Sequence, residues 1–151
     1  MKKVLVLGVL TLSLATTIAV AQVKPEDQIK IRQAGYSFMS WNMGKIKTNL
    51  EGQFDAKQVE AAANAIAGIA NSGMGALYGP GTDKDIGTVK TRVKPELFEN
   101  KAEVGKVAKD FIAAANNLSK VAASGDKAAV KKAFGDMGAA CKACHEKFRM
   151  E

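Results

Sequence analysis

Apolar residues recur every three or four positions in four stretches of this chain, which is the spacing of one face of an α-helix. The stretches cover about residues 26–50, 55–72 and 100–123, and a fourth begins after residues 124–126, where Ser124 or Asp126 can cap it. In the first stretch the steps alternate between three and four residues, as expected for a helix lying nearly parallel to its neighbours. The core-facing positions of that stretch are Ile29, Arg32, Tyr36, Met39, Met43, Ile46 and Leu50.

The other three stretches have apolar faces of the same kind. The second is dominated by alanine, which allows another helix to approach closely, in the same chain or in a partner. The three faces comprise Val59, Ala62, Ile66 and Ile69; Val104, Val107, Phe111, Leu118 and Val121; and Val130, Phe134, Met137, Cys141, Cys144 and Phe148. Long alternation of apolar and polar residues is missing, so strands are not expected.

A long connection separates the second stretch from the third. Its sequence, GALYGPGTDKDIGTVKTRVKPE, is too rich in glycine and proline for a helix. It can cross one end of a bundle with Tyr78, Leu97 and Phe98 turned inward. A connection of this length usually has a function in a compact domain. The predicted fold is therefore all-α: an antiparallel four-helix bundle with a long loop between helices two and three.

The first residues have the pattern of a secretory signal peptide. Lys2 and Lys3 precede a largely apolar run, and Ala19-Val20-Ala21 supplies the small residues of a cleavage site. A membrane anchor is the alternative, but the most apolar part is short for a span. We predict a signal peptide at residues 1–21 and one domain at residues 22–151, exported to the periplasm without a membrane span.

The charge of the chain is moderately positive. Its 22 Lys and Arg residues and 15 Asp and Glu residues give a formal net charge of +7. The lysines are scattered among acids, and the chain lacks the basic cluster with interleaved aromatics that nucleic-acid binding requires. The charges are those of a solvated surface, and no nucleic-acid partner is expected.

Both cysteines and the only histidine of the chain lie within five consecutive positions. Cys141-Lys142-Ala143-Cys144-His145 matches C-x-x-C-H, the attachment motif of c-type haem. In such sites two thiols form thioether bonds with the porphyrin vinyl groups, and the adjacent imidazole binds iron. Export agrees with this interpretation, because c-type haem is attached outside the cytoplasm. We predict one covalently attached haem c, with His145 as the proximal iron ligand.

Three other uses of these residues fit less well. A tetrahedral zinc site requires four ligands, and the motif supplies three unless a carboxylate or water is added. A thioredoxin-like dithiol occurs in a βαβ unit, whereas this chain is predicted to be helical. A disulfide between Cys141 and Cys144 would close a very small loop and gain little.

The sixth iron position decides what such a haem protein does. Electron carriers usually fill it with methionine, which raises the reduction potential. Met150 follows His145 on the same helix and cannot reach the opposite side of the ring. A sixth ligand would have to come from another helix, and the first helix offers Tyr36, Met39 and Met43.

Several segments together resemble the cytochrome c′ family across the whole predicted domain. They are KPEDQIKIRQAGYSFMSWNMG in the first helix, YGPGT and KPELF in the loop, and FGDMGAACKACHEKFR at the end. The resemblance implies a homodimer of four-helix bundles with high-spin, five-coordinate haem. It also implies binding of the small gases nitric oxide and carbon monoxide, and a role in nitric oxide protection or electron transfer.

The resemblance further implies a set of residues around the haem. In low-spin relatives, a first-helix methionine four residues after the start of an Arg-Gln pair binds iron, and here that position is Tyr36. A neutral phenol covers an open iron face better than it binds it. Met39, one turn further on, leaves the alternative of a six-coordinate electron carrier. Where some relatives place a large aromatic residue, Met74, Leu77 or Tyr78 must fill the space. The expected haem environment is Arg32, Tyr36, Met39, Phe98 and Arg149.

Two of these residues have plain structural explanations as well. Arg32 could reach water from the bundle end instead of holding a haem propionate. Arg149 could be an exposed arginine favoured by the helix dipole instead of raising the potential of the iron.

We expect no enzyme activity, since reversible gas capture needs no general acid or base. Lys142 and Lys147 could attract an acidic redox partner protein electrostatically, or simply belong to the solvent-exposed face of the last helix.

Overall fold

The computed structural model describes residues 23–151, and the predicted signal peptide lies outside the described residues. Four long helices make up most of this region, with one short helix before the third of them. In chain order the helices are α1 Pro25–Glu51, α2 Ala56–Ala70, α3 Glu96–Glu99, α4 Lys101–Ala122 and α5 Lys127–Phe148. The four long helices match the four predicted stretches closely, which confirms the helical interpretation of the pattern.

Side-chain caps explain where two of the helices begin. The Asp126 carboxylate accepts hydrogen bonds from the amides of Ala128 and Ala129, so Asp126 caps α5. Asp55 caps α2 in the same way through the amide of Gln58. Each cap satisfies amides that the first turn of a helix leaves without partners. The helix α1 begins with Pro25, whose missing amide hydrogen costs nothing at this position.

The long helices form an antiparallel four-helix bundle. The helix α1 packs on α2, α2 on α4, and α4 on α5, whereas α1 and α5 approach each other at few positions. Paired side chains fix the antiparallel direction of α2 and α4: Asn71 donates to Asn116, and Ser119 donates to Asn64. At one end of the bundle, Lys127 donates to the Gly52 carbonyl and links α5 to the end of α1. The bundle is therefore tightly packed along three of its four sides.

The core lies on the predicted faces. A large cluster joins all four long helices, and a smaller one joins Leu97, Val107 and Phe148 at the end where the long connection crosses the bundle. Ile46, Ile66, Leu118 and Val130 have no measurable exposure. Many core positions are alanine, including Ala62, Ala63 and Ala115, so the helices can approach closely.

The connection from residue 71 to residue 100 is not entirely irregular. Met74–Leu77 forms a one-turn 3₁₀ helix, so the prediction of no helix in this segment was wrong there. This segment also contains residues of two isolated β-bridges: Ile86 pairs with Val89, and Val93 pairs with Arg149. Leu97 is buried and Tyr78 and Phe98 are half-buried, as predicted. No helix in residues 23–151 is both long and apolar enough to span a bilayer.

Three polar side chains of α1 hold this connection against the bundle. Gln28 accepts a hydrogen bond from the Gly79 amide at 2.9 Å, and Gln33 donates to the Lys90 carbonyl at 2.6 Å. A Cβ atom at Gly79 would lie 2.7 Å from Oε1 of Gln28, so a larger residue there would displace the end of the Gln28 side chain. Arg32 makes the remaining attachments, which belong to the site described next.

Candidate functional site

The three residues of the C-x-x-C-H motif lie in the last turns of α5. Both thiols are free and half-buried: Cys141 packs on the large core cluster and Cys144 on the smaller one. His145 follows them with an exposed side chain. Burial raises the pKa of both thiols, and Cys144 raises that of Cys141 further, so both stay protonated. Within residues 23–151, no three His, Cys, Asp or Glu side chains converge on one point.

Two arginines lie beside the imidazole of His145. A guanidinium nitrogen of Arg149 is 3.4 Å from Nδ1 of His145. The segment that contains Arg92 pairs with the chain end: the Met150 amide donates to the Arg92 carbonyl, and Arg92 Nε donates to the Met150 carbonyl. Partial burial lowers the pKa of His145, and Arg149 and Arg92 lower it further. The imidazole is therefore neutral at pH 7, which is the form that binds a metal ion.

Two tyrosines contact each other near Cys144, and we call Tyr36 and Tyr78 the tyrosine pair. The hydroxyl oxygens of Tyr78 and Tyr36 are 3.2 Å apart, within hydrogen-bond distance. Tyr36 comes from α1 and Tyr78 from the residue after the 3₁₀ helix, where it packs on the cluster that includes Cys144. Burial raises the pKa of both phenols, most strongly that of Tyr36, so both are neutral.

Arg32 is almost entirely buried, with 2 % of its surface exposed, so it does not extend to water. Its two terminal nitrogens donate four hydrogen bonds to the long connection: to the Leu77 carbonyl, the Thr82 carbonyl and hydroxyl, and the Thr91 hydroxyl. Its guanidinium carbon also lies 4.6 Å from the centre of the Tyr78 ring. All these partners are neutral, and none of the salt bridges among the described residues involves Arg32. The positive charge therefore has no counter-charge in contact with it.

The remaining predicted residues are divided between the two clusters. Met39 is 5 % exposed and belongs to the large core cluster of all four long helices. Phe98 packs on the smaller cluster, which also includes Tyr78 and Cys144. Met74 fills the space beside Gly35, where an added Cβ atom would meet its methyl group at 3.0 Å. The geometry thus gathers the tyrosine pair, Phe98 and Cys144 at one end of the bundle.

Comparisons with known proteins match nearly all of the described domain. The family model of cytochrome c′ covers residues 27–149. A cytochrome c′ from Allochromatium vinosum is 66 % identical over 142 residues, covering 94 % of this chain and 92 % of that protein. The chain belongs to the cytochrome c′ family.

Solved structures of cytochromes c′ have the same fold. The crystal structure of cytochrome c′ from Thermochromatium tepidum superposes with a TM-score of 0.85 at 66 % identity, over 87 % of this chain and 100 % of that one. A second cytochrome c′, described by its unusual ligand-controlled dimer dissociation, gives 0.86 at 69 % identity over the same shares. A carbon monoxide complex of a variant from Alcaligenes xylosoxidans gives 0.74 at 32 % identity, over 85 % of this chain and 98 % of that one. The family and the four-helix bundle were thus both predicted correctly, and membership implies a haem cofactor.

The sequence analysis did not predict some residues of this site. Thr82 and Thr91 are buried and accept from Arg32, but nothing in the spacing of the long connection marks them. The available signal was Arg32 itself, a charged residue in an apolar seam. A buried guanidinium needs hydrogen-bond acceptors, so its position indicated that acceptors lie nearby. The pairing of Tyr78 with Tyr36 was not predicted either, because it depends on the path of an irregular segment.

Proposed function

We propose that this chain is a periplasmic c-type haem protein that binds carbon monoxide and nitric oxide at an iron with an open sixth position. Membership of the cytochrome c′ family supports the haem. Carbon monoxide and nitric oxide complexes of Alcaligenes xylosoxidans variants, both 32 % identical to this chain, support the gas ligands. The predicted signal peptide at residues 1–21 supports export. The proposal extends to nitric oxide protection or electron transfer as the use of this site.

The residues present fit a covalently attached haem c. Cys141 and Cys144 have free, half-buried thiols on the inner side of α5. This helix meets α1 at few positions, so the bundle is loosely packed on that side. The two cysteines would hold the haem by two thioether bonds, and His145 would bind the iron from the proximal side. When bound, haem c would supply an iron centre that can take a small gas. The observation that carries the proposal is this donor set on α5, the helix that packs closely on α4 but meets α1 at few positions.

In this proposal Tyr36 lies on the distal side. Its phenol is neutral and bulky, and it would cover the open position. Met39, the alternative ligand, has its side chain buried in the core of the four long helices. Binding iron through Met39 would require it to leave that core, which supports five-coordinate haem. Crowded apolar surroundings suit uncharged diatomic ligands.

The charged residues around the site have separate roles in this proposal. Arg32 has a buried positive charge without a counter-charge, and an anionic group nearby lowers the free energy of such a charge. Four of its five N–H groups are used, and Nε remains for a haem propionate. Arg149, beside Nδ1 of His145, would raise the reduction potential of the iron. Phe98 would pack against the haem, next to Cys144.

The protein is proposed to be a binding protein and not an enzyme, since the tyrosine pair offers no general acid or base near pH 7. A redox partner protein of acidic character would meet Lys142 and Lys147 near the motif. Both lysines already pair with acids, Lys142 with Glu146 and Lys147 with Glu103. Electrostatic steering of a redox partner by these two lysines is therefore disfavoured, which favours the gas-binding role.

The alternative is a six-coordinate electron carrier with Met39 on the iron, and one substitution separates the two. Met39→Leu keeps the volume of the side chain and removes the sulfur. If the sixth position is open, electron paramagnetic resonance of the ferric protein will show the same high-spin signal in the wild type and the variant. A low-spin signal in the wild type that becomes high-spin in Met39→Leu would contradict the proposal and establish the electron carrier.

The surface of α1 supports a homodimer. Ile31, Phe38 and Trp41 lie on one side of the helix and are 49 %, 49 % and 57 % exposed. Phe38 and Trp41 have ring centres 5.4 Å apart, and Lys45 lies 4.5 Å over the Trp41 ring. Large exposed apolar side chains that cluster in this way mark an interaction surface. A related cytochrome c′ is described by the dissociation of its dimer, so a second copy of this chain is the proposed partner.

Charge placed on this surface will weaken the dimer. We expect Trp41→Glu to raise the dimer dissociation constant at least about thirtyfold, since a central tryptophan often contributes 2 kcal/mol or more. Analytical ultracentrifugation of the haem-loaded protein over a range of concentrations measures this. Ala113→Glu, which adds the same charge at an exposed position of α4, is the matched control and leaves the constant unchanged. Equal dissociation constants for Trp41→Glu and the wild type would contradict this surface.

A further inference from the structure

A short extended segment follows α5, and the long connection holds it in place. The Met150 amide donates to the Arg92 carbonyl at 2.7 Å, and the Lys94 amide donates to the Phe148 carbonyl at 2.9 Å. These two hydrogen bonds lie on either side of Arg149 in the sequence, so they fix its backbone from both directions. We call the two paired segments, residues 92–94 and 148–150, the terminal clasp.

Each segment of the terminal clasp is anchored in the bundle. Phe148 is 4 % exposed and lies in the smaller core cluster, and Val93 packs against the same cluster. Thr91, the residue before the clasp, accepts a hydrogen bond from Arg32 at 2.7 Å, so α1 holds it as well. The clasp therefore joins the end of α5 to a segment that the core and α1 both hold.

The side chain of Arg92 adds to the backbone pairing of the clasp. Its Nε donates to the Met150 carbonyl at 3.1 Å, so Arg92 contacts Met150 through both its backbone and its side chain. Arg92, His145 and Arg149 line one surface cavity of about 240 Å³. The clasp thus lies directly beside the residue proposed to bind iron.

Arg149 is the residue whose position the clasp decides. One of its guanidinium nitrogens is 3.4 Å from Nδ1 of His145, although Arg149 as a whole is exposed. None of the salt bridges among residues 23–151 involves Arg149 or Arg92, so no carboxylate holds either side chain near the imidazole. An exposed side chain has many rotamers in water, so its position beside His145 depends on where its backbone is held.

A guanidinium beside Nδ1 changes how an imidazole acts as an iron ligand. A neutral imidazole carries one hydrogen, and binding of iron through Nε2 leaves that hydrogen on Nδ1. A positive charge there opposes loss of the hydrogen and draws electron density from the metal, so it favours ferrous over ferric iron. This effect weakens with distance, so the placement of Arg149 determines its size.

The geometry points to Arg92 as a positioning residue for the proximal side: through the terminal clasp it holds Arg149 against His145 and so sets the reduction potential of the iron. This inference rests on the proposed haem attachment with His145 as the iron ligand, and it does not depend on which gas binds. It gives the long connection a second role, separate from its contacts with Arg32.

Two neutral substitutions of Arg92 separate its hydrogen bond from its charge. Glutamine has an amide nitrogen bonded to Cδ, at the position of the arginine Nε, so Arg92→Gln keeps the donor to the Met150 carbonyl. Arg92→Met has a similar length and lacks the charge as well, but it has no donor. We expect the Met150 amide hydrogen of the haem-loaded protein to exchange about three- to tenfold faster in Arg92→Met than in Arg92→Gln, the value of one hydrogen bond. Hydrogen exchange followed by nuclear magnetic resonance measures this.

The reduction potential tests the consequence for the iron. We expect a lower potential in Arg92→Met than in Arg92→Gln, because Arg149 leaves the imidazole when the clasp loosens. In an Arg149→Leu background the two substitutions are expected to give equal potentials, since the charge that the clasp positions is gone. Redox titration of the four haem-loaded variants, followed by their visible spectra, gives the comparison.

The result can contradict the inference at three points. Equal exchange rates or equal potentials of Arg92→Met and Arg92→Gln would overturn it, and so would a difference in potential that persists in the Arg149→Leu background. Carbon monoxide binding to the same proteins tests the proposed function separately. Failure to bind carbon monoxide would overturn the open iron position, whereas the comparison of the potentials would still decide the role of Arg92.

Discussion

Replacing Cys141 and Cys144 together by serine will leave this protein without covalently bound haem. Thioether bonds need thiols, and both thiols of the chain lie in this motif. A serine hydroxyl does not add to a vinyl group, and His145 alone holds haem only by coordination. The expected loss is therefore complete, the largest effect of any substitution considered. Extraction with acidified acetone, followed by mass spectrometry of the intact chain, measures how much haem remains attached.

Single substitutions provide the control for this experiment. Cys141→Ser and Cys144→Ser each keep one thiol, so each can retain haem through one thioether bond. Both positions are half-buried, and serine is close to cysteine in size, so the helix α5 is expected to form in all three variants. Far-ultraviolet circular dichroism checks that it does. Haem that stays attached to the double variant after acid extraction would contradict the assignment of both cysteines.

Replacing Arg32 by leucine is expected to lower the free energy of unfolding by about 3 kcal/mol or more. The change removes four hydrogen bonds and leaves two backbone carbonyls, those of Leu77 and Thr82, without their donors. Each buried acceptor left without a partner costs about 1–3 kcal/mol. The loss of the contact with the Tyr78 ring adds to this. Urea unfolding of the haem-loaded protein, followed by circular dichroism, gives the difference.

Gln33→Leu is the matched control for Arg32→Leu. Gln33 is the next residue of α1 and also bonds the long connection, but it is exposed, so water can replace its contact with the Lys90 carbonyl. Its expected cost is about 1 kcal/mol or less. The free energy of unfolding of Arg32→Lys is expected to lie between those of the two leucine variants, because an ammonium group cannot reproduce the hydrogen bonds of the planar guanidinium. If Arg32→Leu is no less stable than Gln33→Leu, the buried network is not what holds the connection.

The bundle could be predicted from the sequence because one periodic signal covers each long helix. The steps of three and four from Ile29 to Leu50 need no knowledge of the partner helix, and the buried positions Ile29, Met39 and Ile46 follow them. The cap at Asp126 is equally local, since an aspartate bonds the amides that follow it. Tyr36 lies in the same seam but is 38 % exposed, although Ile29 and Arg32, nearer the start of the helix, are buried, so the periodicity alone did not predict its exposure.

The site was predictable where it is local and not where it is built by the long connection. Cys141, Cys144 and His145 lie within five consecutive positions, and their chemistry can be inferred without knowledge of the fold. Arg32 was expected to reach water or a propionate, whereas its acceptors Thr82 and Thr91 are 50 and 59 residues away in the chain. Contacts of that range through an irregular segment have no periodicity to reveal them. The partner of Tyr36 was hidden for the same reason.

The visible absorption spectrum of the reduced protein, before and after carbon monoxide, tests the central claim most directly. An open sixth position predicts a broad high-spin Soret band that sharpens and shifts when carbon monoxide is added. Sharp, separate α and β bands that do not change with carbon monoxide would mean that a side chain already occupies the iron. That result would contradict gas binding and make the protein an electron carrier.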